Sequence, residues 1–105
     1  MKIGLDMDDT ITAMPEFWSV ITQSLMKCGH EVFVITDSHE NWREFKLNWL
    51  DEHNIAFKEM LILGNKAEFC KENGISFLVD DWHEYFDENC SEVAEHPLII
   101  GKIDI

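Results

Sequence analysis

The sequence predicts an α/β fold in which a parallel sheet of about five strands is covered by helices on both faces. Three observations predict it. Short apolar runs alternate with helix-period segments along the whole chain. The runs are apolar on both sides, as expected of strands whose two faces are both buried. Helix starts and stops fall between them, with Pro15 and Asn65 at starts and Gly29 and Gly74 at ends. At 105 residues the chain fits one compact domain, residues 1–105, with little room for a second.

The elements follow in order. Lys2–Leu5 reads as a strand that runs into Asp6. Pro15 to Lys27 reads as a helix, because Pro suits a first turn and Trp18, Ile21 and Leu25 share a face. Val32–Ile35 is a second strand, too short for a helix and rich in β-branched residues. His39 to Glu52 returns to helix period, with Trp42, Phe45 and Trp49 as its expected apolar, core-facing stripe. Met60–Leu63 is a third strand. Asn65 opens the next helix, with Glu68 three residues on in the pattern of a capping box, and Gly74 closes it. Phe77–Val79 is a fourth strand ending on Asp80 and Asp81. Trp82 to Val93 is expected to be a helix and Leu98–Ile100 a short fifth strand. Together these elements describe a three-layer, doubly wound, Rossmann-like domain. In such sheets ligands bind beyond the carboxyl ends of the strands, near a switch in strand order.

Composition narrows the function. The chain is 46% hydrophobic and 28% charged, a soluble globular balance. Its 8 basic residues against 21 acidic ones leave a net charge of −13, and Arg43 is the single arginine. No basic run exists to track a phosphate backbone, so extended nucleic-acid binding and docking on anionic membranes are not expected. A phosphorylated substrate would be repelled at long range, so its site must carry local positive charge. Cys28, Cys70 and Cys90 are odd in number and lack paired spacing, which fits reduced thiols on helices better than disulfides or zinc. The absence of a transmembrane-length run or a signal-peptide pattern predicts a cytoplasmic protein.

The residues that follow the strands carry the chemistry. They are Asp6-Met7-Asp8-Asp9-Thr10, Thr36-Asp37-Ser38, Gly64-Asn65-Lys66 and Asp80-Asp81. Clustered carboxylates repel one another, so a positive partner should hold them together. A hard cation with oxygen ligands fits, and Mg2+ suits a few carboxylates, waters and a phosphate oxygen. Each piece has a plainer alternative. Asp6 and Asp8 alone could form a solvated turn, Thr36 a strand-end hydroxyl, and Lys66 a surface lysine. Asp80-Asp81 could cap the following helix. His39, His53, His83 and His96 show no metal-ligand spacing and read as surface residues.

Asp6-x-Asp8-x-Thr10, Thr36, Lys66 and Asp80-Asp81 resemble, in order, the four motifs of the haloacid-dehalogenase-like phosphatases. The resemblance spans the chain from the first strand to Asp81. It implies a magnesium-dependent phosphomonoester hydrolase in which Asp6 attacks phosphorus and forms an aspartyl-phosphate. Asp8 is implied to protonate the leaving oxygen and later activate water. Thr10, Thr36 and Lys66 are implied to bind the phosphoryl group. Asp6, the backbone carbonyl of Asp8, and Asp80 or Asp81 are implied to hold Mg2+.

Members of that family usually insert a cap domain after the first or second motif. Here the intervals leave no space for one, so the resemblance implies a capless core with an open site. It also leaves room for a homodimer or a partner subunit that closes the site. Similarity to small 5′-nucleotidase-like proteins makes a nucleotide, or another small phosphorylated metabolite, the expected substrate. The alternative is a catalytically weak or silent member that binds phosphate or a protein partner, against which the intact Asp6/Asp8 pair speaks. A signalling receiver domain is disfavoured, because it needs its acid after the third strand, where this chain has Leu63-Gly64.

Overall fold

The computed structural model describes residues 1–81 throughout and the backbone of residues 90–94 and 99–103. Its elements are strands β1 (Lys2–Leu5), β2 (Glu31–Thr36), β3 (Glu59–Ile62), β4 (Phe77–Asp80), β5 (Cys90–Ala94) and β6 (Ile99–Ile103). Between them lie helices α1 (Pro15–Lys27), α2 (Arg43–Glu52) and α3 (Lys66–Glu72). The sheet order is β3-β2-β1-β4-β6-β5. Its first four strands are all parallel, which makes the domain α/β and compatible with a Rossmann-like arrangement. The chain builds outward from β1 to β2 and β3, then returns to place β4 on the other side of β1. The switch in strand order therefore lies between β1 and β4.

The expectation of about five parallel strands is corrected by the carboxyl-terminal part. β6 pairs with β4 antiparallel, and β5 pairs with β6 antiparallel. Chain length accounts for the second pairing: four residues separate β5 from β6, and a parallel neighbour needs a crossover of a dozen or more. The helix expected over Trp82 to Val93 is corrected where it meets β5, so Cys90 lies on a strand; residues 82–89 lie outside the described residues.

The parallel strands send alternate side chains into two separate apolar clusters. Leu5, Val32, Val34, Met60 and Val79 pack with Trp18 of α1 and Leu50 of α2, joined by the half-buried Ile21, Leu25 and Leu47. Phe33, Ile35 and Leu78 pack instead with Cys70 of α3 and Ile75. Gly4 belongs to the second set. A Cβ there would meet Ile35 Cδ1 at 3.1 Å and Leu78 Cδ1 at 3.3 Å, so the central strand takes no larger side chain without displacing its neighbours.

The three α-helices among the described residues end by the same device. The residues just past them, Gly29, Asn54 and Gly74, have positive φ. The next N–H of each (His30, Ile55, Ile75) donates back to Leu25, Leu50 and Cys70 at 2.9–3.0 Å, satisfying carbonyls that the helix leaves open. Asn65 caps α3 as expected, the Glu68 N–H donating to Asn65 Oδ1 at 3.2 Å, but the return bond of a capping box is replaced by a side-chain pair, Asn65 Nδ2 donating to Glu68 Oε2 at 2.6 Å.

α2 is phased differently from expectation. Trp42 and Phe45 are exposed, at 53% and 60%, and touch edge to face at 5.6 Å between centroids. The buried positions are Lys46 and Leu50. A 3.6-residue period permits either stripe, and the packing of α2 against β2 and β3 selects the one containing a lysine. Among the described residues, no helix is long and apolar enough to cross a membrane.

Candidate active site

Asp6 is the first residue beyond β1, and its N–H donates to Val79 O of β4 at 2.9 Å. This last rung fixes Asp6 over the switch between β1 and β4. Met7–Ile11 then form a wide turn broken at its centre, with Asp8 extended (φ −68°, ψ 127°) and Asp9 left-handed (φ 62°). Left-handed backbone is uncommon outside glycine, and Asp is among the residues that tolerate it. The Asp9 N–H donates to Thr12 Oγ1 at 2.9 Å, which holds the turn. The break lets Met7 and Ile11 enter the core while Asp8 stays exposed.

Both oxygens of Asp6 are engaged. Thr10 Oγ1 donates to Oδ2 at 3.1 Å, and Lys66 Nζ donates to Oδ1 at 2.7 Å. The same ammonium donates to Oδ2 of Asp80, the last residue of β4, at 2.8 Å. Asp6, Thr10, Lys66 and Asp80 are all buried. Lys66 is thus no surface lysine but a buried bridge between the ends of β1 and β4. Asp81, half-buried, completes a trio with Asp6 and Asp80 in which one oxygen of each lies within 4.8 Å of the others.

Three carboxylates against one ammonium leave an excess of negative charge in a buried place. Burial drives the Asp6 carboxyl from 3.8 up to about 7. The Lys66 ammonium pulls it back down, while the Asp80 charge and a hydrogen bond with Asp81 push it up. The donor atoms are all hard oxygens and the charge is short of cations, so the trio fits a small divalent cation. Asp8 contributes no carboxylate to the trio.

Asp8 and Thr36 meet elsewhere. Thr36 ends β2 and is fully buried, and its Oγ1 accepts from Lys46 Nζ at 3.2 Å. Lys46 Nζ also donates to Asp8 Oδ2 at 2.8 Å. The sequence-predicted residues therefore form two adjoining groups, one around Lys66 and one around Lys46. Lys46 is the residue that reading the sequence missed. The available signal was its position four residues after Trp42 and three before Trp49, which places a charge inside a supposed apolar stripe.

The described histidines lie apart from these groups. His39 is exposed and caps the turn Glu40–Trp42, its Nδ1 accepting from the Asn41 N–H at 3.1 Å. His53 is half-buried and stacks on Trp49 at 3.8 Å, rather than standing free on the surface. His83 and His96 lie outside the described residues. Cys28 is an exposed free thiol, and Cys70 is buried. In comparison with known proteins, no family model, no curated protein and no solved structure matches the chain.

Proposed function

We propose that this chain is a magnesium-dependent phosphomonoester hydrolase, built on a three-layer doubly wound core without a cap and working through an aspartyl-phosphate on Asp6. The observation that carries the reading is the meeting of Asp6, Lys66, Asp80 and Asp81 at the switch point, with Thr10 bonded to Asp6. Three separated stretches of sequence converge there on one nucleophile. A turn of merely solvated acids would not bury two carboxylates around a lysine, because burying charge without a purpose costs several kcal/mol per ion.

Asp6, Asp80 and Asp81 would hold Mg2+, whose charge would keep Asp6 ionised and offset the repulsion between nucleophile and substrate. Asp6 is gripped on both oxygens, so its direction is set before substrate arrives. In the first step an Asp6 oxygen bonds to phosphorus, the bond to the leaving oxygen breaks, and Asp8 gives that oxygen a proton. In the second, Asp8 takes a proton from water as the water oxygen attacks the aspartyl-phosphate. Inorganic phosphate leaves and Asp6 is restored. Asp8 is suited to this exchange by exposure, since its side chain is 59% accessible beside a buried site.

A nucleoside monophosphate is the first substrate to try, and a small phosphorylated metabolite is the class. A core without a cap would leave room for a second copy or a partner as a lid. The free thiol of Cys28 suits a reducing, cytoplasmic setting. The test is phosphate release from p-nitrophenyl phosphate and a panel of nucleoside monophosphates. The expected result is release that requires Mg2+, stops in EDTA and disappears in Asp6→Asn. Release that persists in EDTA or in Asp6→Asn would refute the mechanism.

A further inference from the structure

Resting on the phosphohydrolase reading, we infer that Lys46 binds the substrate's phosphoryl group directly, together with Thr36, as a second cation of the site. Lys66 is spent on acids. Its ammonium donates to two buried carboxylates at 2.7 and 2.8 Å, and its side chain is fully enclosed. A dianionic group approaching Asp6 still needs positive charge that can turn toward it, in a protein of net charge −13.

Lys46 meets that need. Its side chain is 7% exposed and its carboxylate partner Asp8 is 59% exposed, so a phosphoryl oxygen can take the place of Asp8 on the buried ammonium as Asp8 turns toward the leaving oxygen. The second contact of Lys46 is the Thr36 hydroxyl at 3.2 Å. An oxygen that accepts from an ammonium presents its own O–H away from it, so Lys46 orients Thr36 as a donor. Ammonium and hydroxyl then offer two adjacent donors to phosphoryl oxygens, one of them charged.

The position is costly for a structural lysine. Lys46 lies on the core-facing side of α2, one turn from the fully buried Leu50. An apolar residue would pack there without the loss of hydration that a buried ammonium suffers. An ion pair with an exposed acid recovers little of that loss. Binding a doubly charged substrate group accounts for keeping it.

The test uses Lys46→Met and Lys46→Arg in the full chain. Met matches the lysine stem and suits an apolar face, so the variant should fold, with circular dichroism as the check. Inorganic phosphate binding is measured by calorimetry in Mg2+, alongside KM and kcat for p-nitrophenyl phosphate. The expected result is phosphate affinity at least tenfold weaker and KM raised in Lys46→Met. Lys46→Arg should recover part of both, and the rise in melting temperature caused by Mg2+ should persist in each variant. Turnover by wild type with phosphate affinity and KM unchanged in Lys46→Met overturns the inference and leaves the hydrolase reading standing. Phosphate binding that weakens in Lys46→Met, in a chain without turnover, does the reverse. Failure of the wild type to bind phosphate at all overturns the inference.

Discussion

Replacing Lys66 with Met should destabilise the metal-free protein far more than any other lysine substitution among the described residues. The structure contains its own control. Lys66–Asp80 and Lys58–Glu31 are ion pairs of the same length, 2.8 Å, but the first pair is fully enclosed while the second has side chains 55% and 37% exposed. Exposed pairs are worth about 0–1 kcal/mol, whereas removing one partner of a buried pair costs about 3–5 kcal/mol because the other charge is left uncompensated. Lys66→Met strands two carboxylates, Asp6 and Asp80, that already crowd each other. The upper half of that range is expected at pH 8 in EDTA, against less than about 1 kcal/mol for Lys58→Met. Urea denaturation followed by circular dichroism measures both. Saturating Mg2+ should return a large part of the loss in Lys66→Met, because the ion supplies charge to the same oxygens, and none in Lys58→Met. Equal losses in the two variants, or a Lys66→Met loss that Mg2+ leaves untouched, would refute this account of the buried cluster.

Two further outcomes follow from the same geometry. The raised pKa of Asp6 means that in EDTA the folded protein keeps the Asp6 proton between about pH 4 and 7 while the unfolded chain releases it. Asp6 therefore makes stability fall as pH rises through that window, by on the order of 4 kcal/mol at most. Asp6→Asn should flatten the decline in urea titrations, and Mg2+ should reverse its sign in wild type by favouring the ionised form. In α2, Leu50→Ala should cost about 2–5 kcal/mol and Phe45→Ala less than about 0.5 kcal/mol, since Leu50 is fully buried and Phe45 is 60% exposed. The reverse ranking in thermal melts would refute the observed phase of that helix.

Much of the local architecture was decided by the sequence itself. β1, α1 and the Asn65 cap lie where apolar runs, Pro15 and the Glu68 spacing put them, because those signals act within a few residues. The four stretches bearing Asp6, Thr36, Lys66 and Asp80-Asp81 could be read for the same reason: each follows an apolar run short enough to be a strand. Tertiary structure alone decided the rest. A helical period does not say which of two overlapping stripes will face the sheet; it points Trp42 inward as readily as Lys46, and packing chooses Lys46. Strand direction near the carboxyl end depends on loop length and on the partner available at the sheet edge, which turned the last strands antiparallel. Above all, the sequence could align acids and lysines with strand ends but could not pair them. Which carboxylate meets which ammonium depends on strand order and on helix position across the sheet, and that divides the site between Lys66 and Lys46.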